Sequence, residues 1–253
     1  MKYPKVIVIM PAYNAEKTLE KTICDIPFDI ISEIIITDDS STDSTYETAK
    51  NICSSHPALS LDKEVESKVL CTIIQHERNR GYGANQKTCY DTALSHGADI
   101  IIMIHSDYQY DPTVIPYIID FIEKRNFDVI LGSRIRSRKE ALAGGMPYYK
   151  YFSNRALSSI ENICTGRVLT DWHSGMRAYK REVLENTQYN TFSNDFIFDS
   201  QMLLTTIHNT YSIGELPIPI RYFSEASSIN FRRSVRYGFL TLVELFKFAF
   251  RRK

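Results

Sequence analysis

The sequence predicts an α/β fold with a mostly parallel central sheet and helices on both faces. Three observations carry this reading. Short β-branched runs recur along the chain, each ends in a polar or glycine-bearing loop, and a helical pattern follows each loop. Strands joined in that way point in one direction, so their carboxyl-end loops gather along one edge and line one cleft.

Residues 6–10 read as a short buried strand, followed by a turn at Pro11-Ala12-Tyr13-Asn14 and a helix from about Glu16. Residues 34–37 form a second strand that closes on Asp38-Asp39-Ser40-Ser41-Thr42-Asp43, where Ser41, Thr42 or Asp43 suits a helix N-cap. A third strand covers 69–75, and Arg80-Gly81-Tyr82-Gly83-Ala84-Asn85 then opens a helix through Ala93. The fourth ends at His105 after the apolar run 100–104, and the fifth, 129–131, ends at Gly132-Ser133-Arg134. Farther on, Asp171-Trp172-His173-Ser174-Gly175-Met176-Arg177 precedes a short strand at Ala178-Tyr179, and the stretch from Asn194 to Asp199 opens an apolar helix.

At 253 residues and 43% hydrophobic, the chain can bury one substantial core. With no repeat, low-complexity tract or linker, one domain over residues 1–230 is expected, with 231–253 as an appended basic helix. The formal charge of zero hides an asymmetry, because the last 23 residues carry +6 and the remainder −6. Arg232, Arg233, Arg236, Lys247, Arg251, Arg252 and Lys253 flank an apolar stripe of Val235, Phe239, Leu242, Phe246 and Phe250. Such a helix suits an anionic membrane surface, or else it packs on the protein's own core. Cys24, Cys53, Cys71, Cys89 and Cys164 are odd in number and lack a C-x-x-C pair, so they are expected as buried free thiols in a reducing compartment. The N-terminus shows no signal-peptide pattern, and no run approaches the roughly 20 apolar residues that span a bilayer.

The loops carry the chemistry. His105-Ser106-Asp107-Tyr108-Gln109 follows the fourth strand, and in extended backbone Asp107 and Gln109 share a face. Hard oxygen donors there suit Mg2+ or Mn2+ held partly by ligand phosphates, with neutralisation of a departing diphosphate as its task. Asp38 and Asp39 are placed to accept from a ribose hydroxyl or a base edge. Gly81-x-Gly83 lacks the third glycine and first-strand position of a dinucleotide fingerprint, which excludes a nicotinamide or flavin site and leaves a loop that lets backbone approach a ligand. The absence of a Gly-rich loop after the first strand argues against a nucleotidyltransferase. Arg134, Arg136, Arg138 and Lys139 follow the fifth strand, and an extended segment would aim the three arginines one way, toward phosphate oxygens. Asp171, Asp195 and Asp199 are the carboxylates available as a general base.

In this order the motifs resemble glycosyltransferase family 2, and within it the enzymes that glycosylate polyprenyl phosphates. The resemblance covers about residues 5–225. It implies an A-type glycosyltransferase (Rossmann-like) fold, a divalent metal and inversion at the anomeric carbon. Pro11, Tyr13 and Asp39, with Asp38 and Gly83 beside them, would hold a UDP- or GDP-linked sugar. Asp107 and Gln109 would take Mg2+ or Mn2+. Arg134, and Arg155 with Ser159 in the helix after the basic loop, would bind the phosphate of a polyprenyl phosphate. His105 stands where the family usually places the first carboxylate of its D-x-D signature, so its part as a metal ligand is open.

The resemblance implies peripheral attachment to the cytoplasmic face of a membrane, through the basic tail or a separate membrane protein partner. A homo-oligomer is compatible, and no nucleic acid partner is expected. Two alternatives stay open: transfer to a saccharide or glycolipid hydroxyl, and a catalytically silent nucleotide-sugar-binding module.

Overall fold

Seven consecutive buried residues form β1 (Val6–Ala12), and its neighbours β2 (Glu33–Asp38) and β5 (Ile100–Met103) are buried along their full length. A strand covered on both faces needs a near-continuous apolar run, which the isoleucine-rich stretches supply. The structure, a computed structural model, describes residues 4–65, 68–135, 137–219 and 231–251. The remaining elements in chain order are α1 (Leu19–Cys24), α2 (Thr45–Ser55), β3 (Leu59–Ser60), β4 (Val69–Gln75), α3 (Tyr82–Ser95), α4 (Ile115–Lys124), β6 (Val129–Ser133), α5 (Arg138–Ala143), α6 (Tyr148–Thr165), β7 (Arg177–Lys180), α7 (Arg181–Glu185), α8 (Phe198–His208), β8 (Ile213–Pro217) and α9 (Phe231–Arg251).

The strands form one sheet in the order β3-β4-β2-β1-β5-β7-β6-β8. Successive side chains leave opposite faces, so Val8, Met10, Ile34 and Ile36 enter one core with Leu19 and Ile118, while Ile7, Ile9, Ile35 and Ile101 enter the other with Tyr90 and Phe198. Each buried isoleucine contributes about 1.5–3 kcal/mol.

One strand departs from the expected common direction. β7 runs antiparallel to β5 and β6, with Arg177 opposite both Met103 and Leu131. Its amino end therefore meets the carboxyl ends of its neighbours, and the loop 171–176 reaches the cleft edge from the opposite sense. β5 stops at Met103 rather than His105, and residues 106–108 turn, with Tyr108 left-handed at φ 57°. The extended presentation of Asp107 and Gln109 is thus replaced by a turn in which the Gln109 N–H donates to Asp107 Oδ1 at 3.2 Å. The second loop also caps differently: α2 starts at Thr45, and Asp43 Oδ1 accepts the Thr45 N–H at 3.0 Å from outside the N-cap position.

The cysteines overturn the free-thiol expectation. Cys53 on α2 and Cys71 on β4 form a disulfide, with Cα atoms 5.9 Å apart, because the helix packs over that strand. Cys24 and Cys164 are exposed, which leaves Cys89 as the buried free thiol, its pKa pushed up to about 12 by burial.

The terminal helix divides its faces. Thr241, Leu245 and Phe248 are buried against α6 and α8, and the last two belong to the second core cluster. Val235, Phe239, Leu242, Phe246 and Phe250 form the opposite stripe and are 41–67% exposed. α9 is therefore integral to the core and still presents the aromatic stripe outward. No helix among the described residues is long and apolar enough to cross a membrane. Arg136, Arg252 and Lys253 of the basic groups lie outside the described residues, as do the side chains of Arg232 and Arg251.

Candidate active site

A cleft of about 870 Å³ opens along the carboxyl edge of the sheet, walled by α6 on one side and the first turns of α9 on another. Pro11 and Tyr13, after β1, line it together with Asp39. Asp39 is buried and heavily bonded: Oδ1 accepts from the Arg80 N–H at 2.9 Å and meets His76 Nδ1 at 2.6 Å, while Oδ2 accepts from the Gly81 N–H at 2.9 Å. It shapes the loop that opens α3. Asp38, one residue earlier, points the other way along the pleat. Its carboxylate accepts from the Ser41 hydroxyl and N–H and from Gln75 Nε2, and it does not line the cleft.

The two glycines separate as well. Gly81, at φ +96°, lines the cleft in a conformation that side chains avoid. Gly83 does not; a Cβ there would meet the Ser193 carbonyl oxygen at 2.4 Å, so its role is close packing of α3 on the loop before α8.

His105, Asp107 and Gln109 all line the cleft. Burial raises the Asp107 pKa, although the charges of His105 and Arg134 oppose it, and burial lowers that of His105. The His105 ring lies against Gly175, where a Cβ would come within 2.2 Å of Cε1. This contact explains the glycine of the Ser174-Gly175-Met176-Arg177 run. Arg177 is fully buried beneath it, donating to the carbonyls of Trp172, Ser174 and Asp199 at 2.8–3.1 Å.

The described residues hold no cluster of three or more His, Cys, Asp or Glu side chains able to enclose a cation. The donor set nonetheless fits a divalent ion completed by substrate oxygens and water. Asp107 Oδ2 and His105 Nδ1 make no hydrogen bond and are not sealed from solvent, so both open on the cleft.

Arg134 lines the cleft and forks onto Asp171, with Nε to Oδ2 at 2.7 Å and Nη2 to Oδ1 at 3.0 Å. Burial alone would raise the Asp171 pKa, but the Arg134 guanidinium and the Asn154 amide hold it well below the usual carboxylate range. The three-arginine presentation does not form, because Arg138 opens α5 and is exposed. Arg155 and Ser159 also fall outside the cleft: the Arg155 guanidinium donates to the Thr170 carbonyl at 2.6 Å, and the Ser159 hydroxyl donates back to the Arg155 carbonyl. Helical phase explains it. Lys150, Asn154 and Leu157 form the inner face of α6, one step around from Arg155.

Sequence reasoning missed Lys150 and Tyr82. Lys150 stands in the cleft near Arg134, its pKa lowered by burial and by that neighbour's charge. The readable signal was its i, i+4 spacing with Asn154 on a face that carries no second cation. Tyr82 lies between the two glycines that drew attention, with nothing local to single it out. Of the three candidate bases, Asp171 is consumed by Arg134, and Asp199 accepts from Tyr82 and Gln86. Asp195 is exposed in the cleft, with only Oδ1 engaged, by the Phe196 N–H at 2.8 Å.

This fold and cleft define a nucleotide-sugar transferase of the A type. Residues 7–187 match the family described as glycosyl transferase family 2, and the chain belongs to that family as an inverting hexosyltransferase. It is 30% identical over 227 residues to a UDP-N-acetylglucosamine–dolichyl-phosphate N-acetylglucosaminyltransferase of Methanococcus voltae, covering 89% of this chain and 90% of that one. It is 27% identical over 191 residues to the dolichol-phosphate mannosyltransferase of Pyrococcus furiosus, covering 74% of this chain and 49% of that one. Glucosyl-3-phosphoglycerate synthase from Mycobacterium tuberculosis, solved with Mn2+, UDP-glucose and phosphoglyceric acid, shares the fold at a TM-score of 0.69 and 18% identity, over 97% of this chain and 80% of that one. The same synthase has been solved with Mg2+ and UDP.

Proposed function

We propose that the protein transfers a hexose from a nucleoside-diphosphate sugar to a polyprenyl phosphate at a membrane surface, with inversion and with Mg2+ or Mn2+. The observation that carries this reading is the one cleft lined together by Asp39, His105, Asp107, Arg134 and Lys150, with α9 as one wall. The relatives that act on dolichyl phosphates support the acceptor class.

Pro11, Tyr13 and Asp39 hold the nucleoside, and Gly81 lets the backbone approach it. His105 and Asp107, with Gln109, would hold the divalent ion, which when bound supplies Lewis-acid stabilisation of the leaving diphosphate. A phosphate monoester has a second pKa of about 6, so the acceptor oxygen is already anionic at neutral pH. That oxygen attacks the anomeric carbon, the new C–O bond forms as the bond to the diphosphate breaks, and in-line displacement inverts the centre. No side chain has to take a proton. Arg134 and Lys150 position the nucleophile by charge, and positioning with charge neutralisation carries the rate. Arg155 and Ser159 would join them only by turning inward from their present contacts.

The outward stripe of α9 supplies the membrane contact in this reading. Five large apolar side chains can enter the headgroup boundary, while an exposed cation such as Lys247 adds about 1 kcal/mol against anionic lipid. The basic end favours the anionic cytoplasmic leaflet. Transfer to a sugar hydroxyl is the second reading, favoured by the uncommitted Oδ2 of Asp195. Incubating the protein with Mn2+, a panel of UDP- and GDP-sugars and either a short polyprenyl phosphate or saccharide acceptors tests both. Lipid-linked sugar is expected; turnover with hydroxyl acceptors alone would refute the phosphate reading.

A further inference from the structure

The side chain of His105 makes one hydrogen bond, from Nε2 to the Tyr82 hydroxyl at 2.8 Å. That hydroxyl has a single proton, which it donates to Asp199 Oδ2 at 2.8 Å. Asp199 is fixed as the acceptor: Oδ1 receives Gln86 Nε2 at 3.0 Å, and the buried Arg177 guanidinium lies 4.0 Å from Oδ2. Toward His105 the hydroxyl therefore offers only lone pairs. Nε2 must carry the ring proton, and Nδ1 is left as a bare donor of electrons that opens on the cleft.

The ring is also held in place. Gly175 leaves room for it on one face, and Tyr82 and Tyr110 meet it edge-on at 5.6 and 5.4 Å between centroids. Tyr82 is itself stacked on Phe196 at 4.9 Å. A hydrogen bond to one ring nitrogen settling what the other can ligate is the general arrangement around metal-bound histidines.

We infer that Asp199 and Tyr82 are positioning residues that lock His105 as the Nε2–H tautomer, so that its Nδ1 lone pair serves, beside Asp107, as the second protein ligand of the divalent cation. The inference rests on the metal reading above and deepens it. Histidine here replaces a charged ligand by a neutral one. Its orientation must then come from hydrogen bonding, and the buried Asp199–Tyr82 pair provides it.

The test combines nitrogen NMR of 15N-histidine-labelled protein with Mn2+ titration by electron paramagnetic resonance in the presence of UDP or GDP. In the wild type, His105 should show a protonated Nε2 and an unprotonated Nδ1, and Mg2+ with nucleotide should shift the Nδ1 resonance. Tyr82→Phe keeps the stacked ring and removes the hydroxyl; it should weaken Mn2+ binding about 10- to 100-fold. On a His105→Ala background the same change should have no further effect, which a merely structural role for Tyr82 would not produce. A protonated Nδ1 in the wild type, or wild-type Mn2+ affinity in Tyr82→Phe while Asp107→Asn loses binding, overturns this inference alone. Absence of Mn2+ binding to the wild type would overturn the metal reading with it.

Discussion

The Tyr237 hydroxyl on α9 lies 2.8 Å from His173 Nδ1 in the loop before β7, and 3.1 Å from the Ser200 hydroxyl on α8. The other ring nitrogen of His173 faces the buried Glu161 on α6 at 3.2 Å. One phenol thus ties the terminal helix to the loop before β7 and to α8, and through His173 to α6. Removing it in Tyr237→Phe leaves buried polar partners unpaired and should cost about 1–3 kcal/mol, read as a lower denaturation midpoint with an unchanged slope.

The two faces of α9 separate by mutation. Phe239→Ser with Phe246→Ser removes exposed groups and should leave stability within about 0.5 kcal/mol while reducing sedimentation with anionic vesicles. Leu245→Ser, on the buried face, should instead lower the melting temperature. High salt should weaken vesicle binding of the wild type.

The Arg134–Asp171 fork gives a pH signature. The folded-state pKa of Asp171 is depressed, so the pair adds stability that is fully present above the ordinary carboxylate value of about 3.9 and is lost as pH falls below it toward the depressed value. Asp171→Asn should flatten this part of the stability curve in acid and destabilise the protein at neutral pH by about 3–5 kcal/mol, since it removes the buried counter-charge of the Arg134 guanidinium. Urea titrations from pH 7 to pH 3 measure both effects.

Acceptor binding distinguishes the two faces of α6. Lys150→Ala should raise the KM for polyprenyl phosphate about tenfold, a loss of about 1.4 kcal/mol. Arg155→Ala and Ser159→Ala should change it less than about twofold in the arrangement seen here. The reverse ranking would mean that α6 rotates when the acceptor binds.

How far the sequence disclosed this site depends on range. β1, β2, β5 and β6 were legible because buried strands must be largely apolar, and Asp39, Asp107 and Arg134 followed as residues just beyond β2, β5 and β6. Orientation within a loop was not. Asp38 and Asp39 are chemically alike, and only the pleat decides which one enters the cleft. Arg155 and Lys150 lie five residues apart on one helix, and its docking on α9 decides which faces inward. β8 escaped notice because Gly214 and Pro217 break its pattern. The antiparallel course of β7 and the Cys53–Cys71 pairing depend on contacts between distant segments, which no local pattern encodes.

The central claim is that an already anionic phosphate attacks the sugar without help from a protein base, and Asp195 puts it to the most direct test. Asp195→Asn keeps an acceptor for the Phe196 N–H and removes the uncommitted carboxylate from the cleft. The measurement is the single-turnover rate of sugar transfer to a short polyprenyl phosphate, with the anomeric configuration of the product read by NMR. The expected result is a rate within about twofold of the wild type and an inverted product. A fall of about 10²–10⁴-fold, the usual effect of losing a general base, would contradict the account.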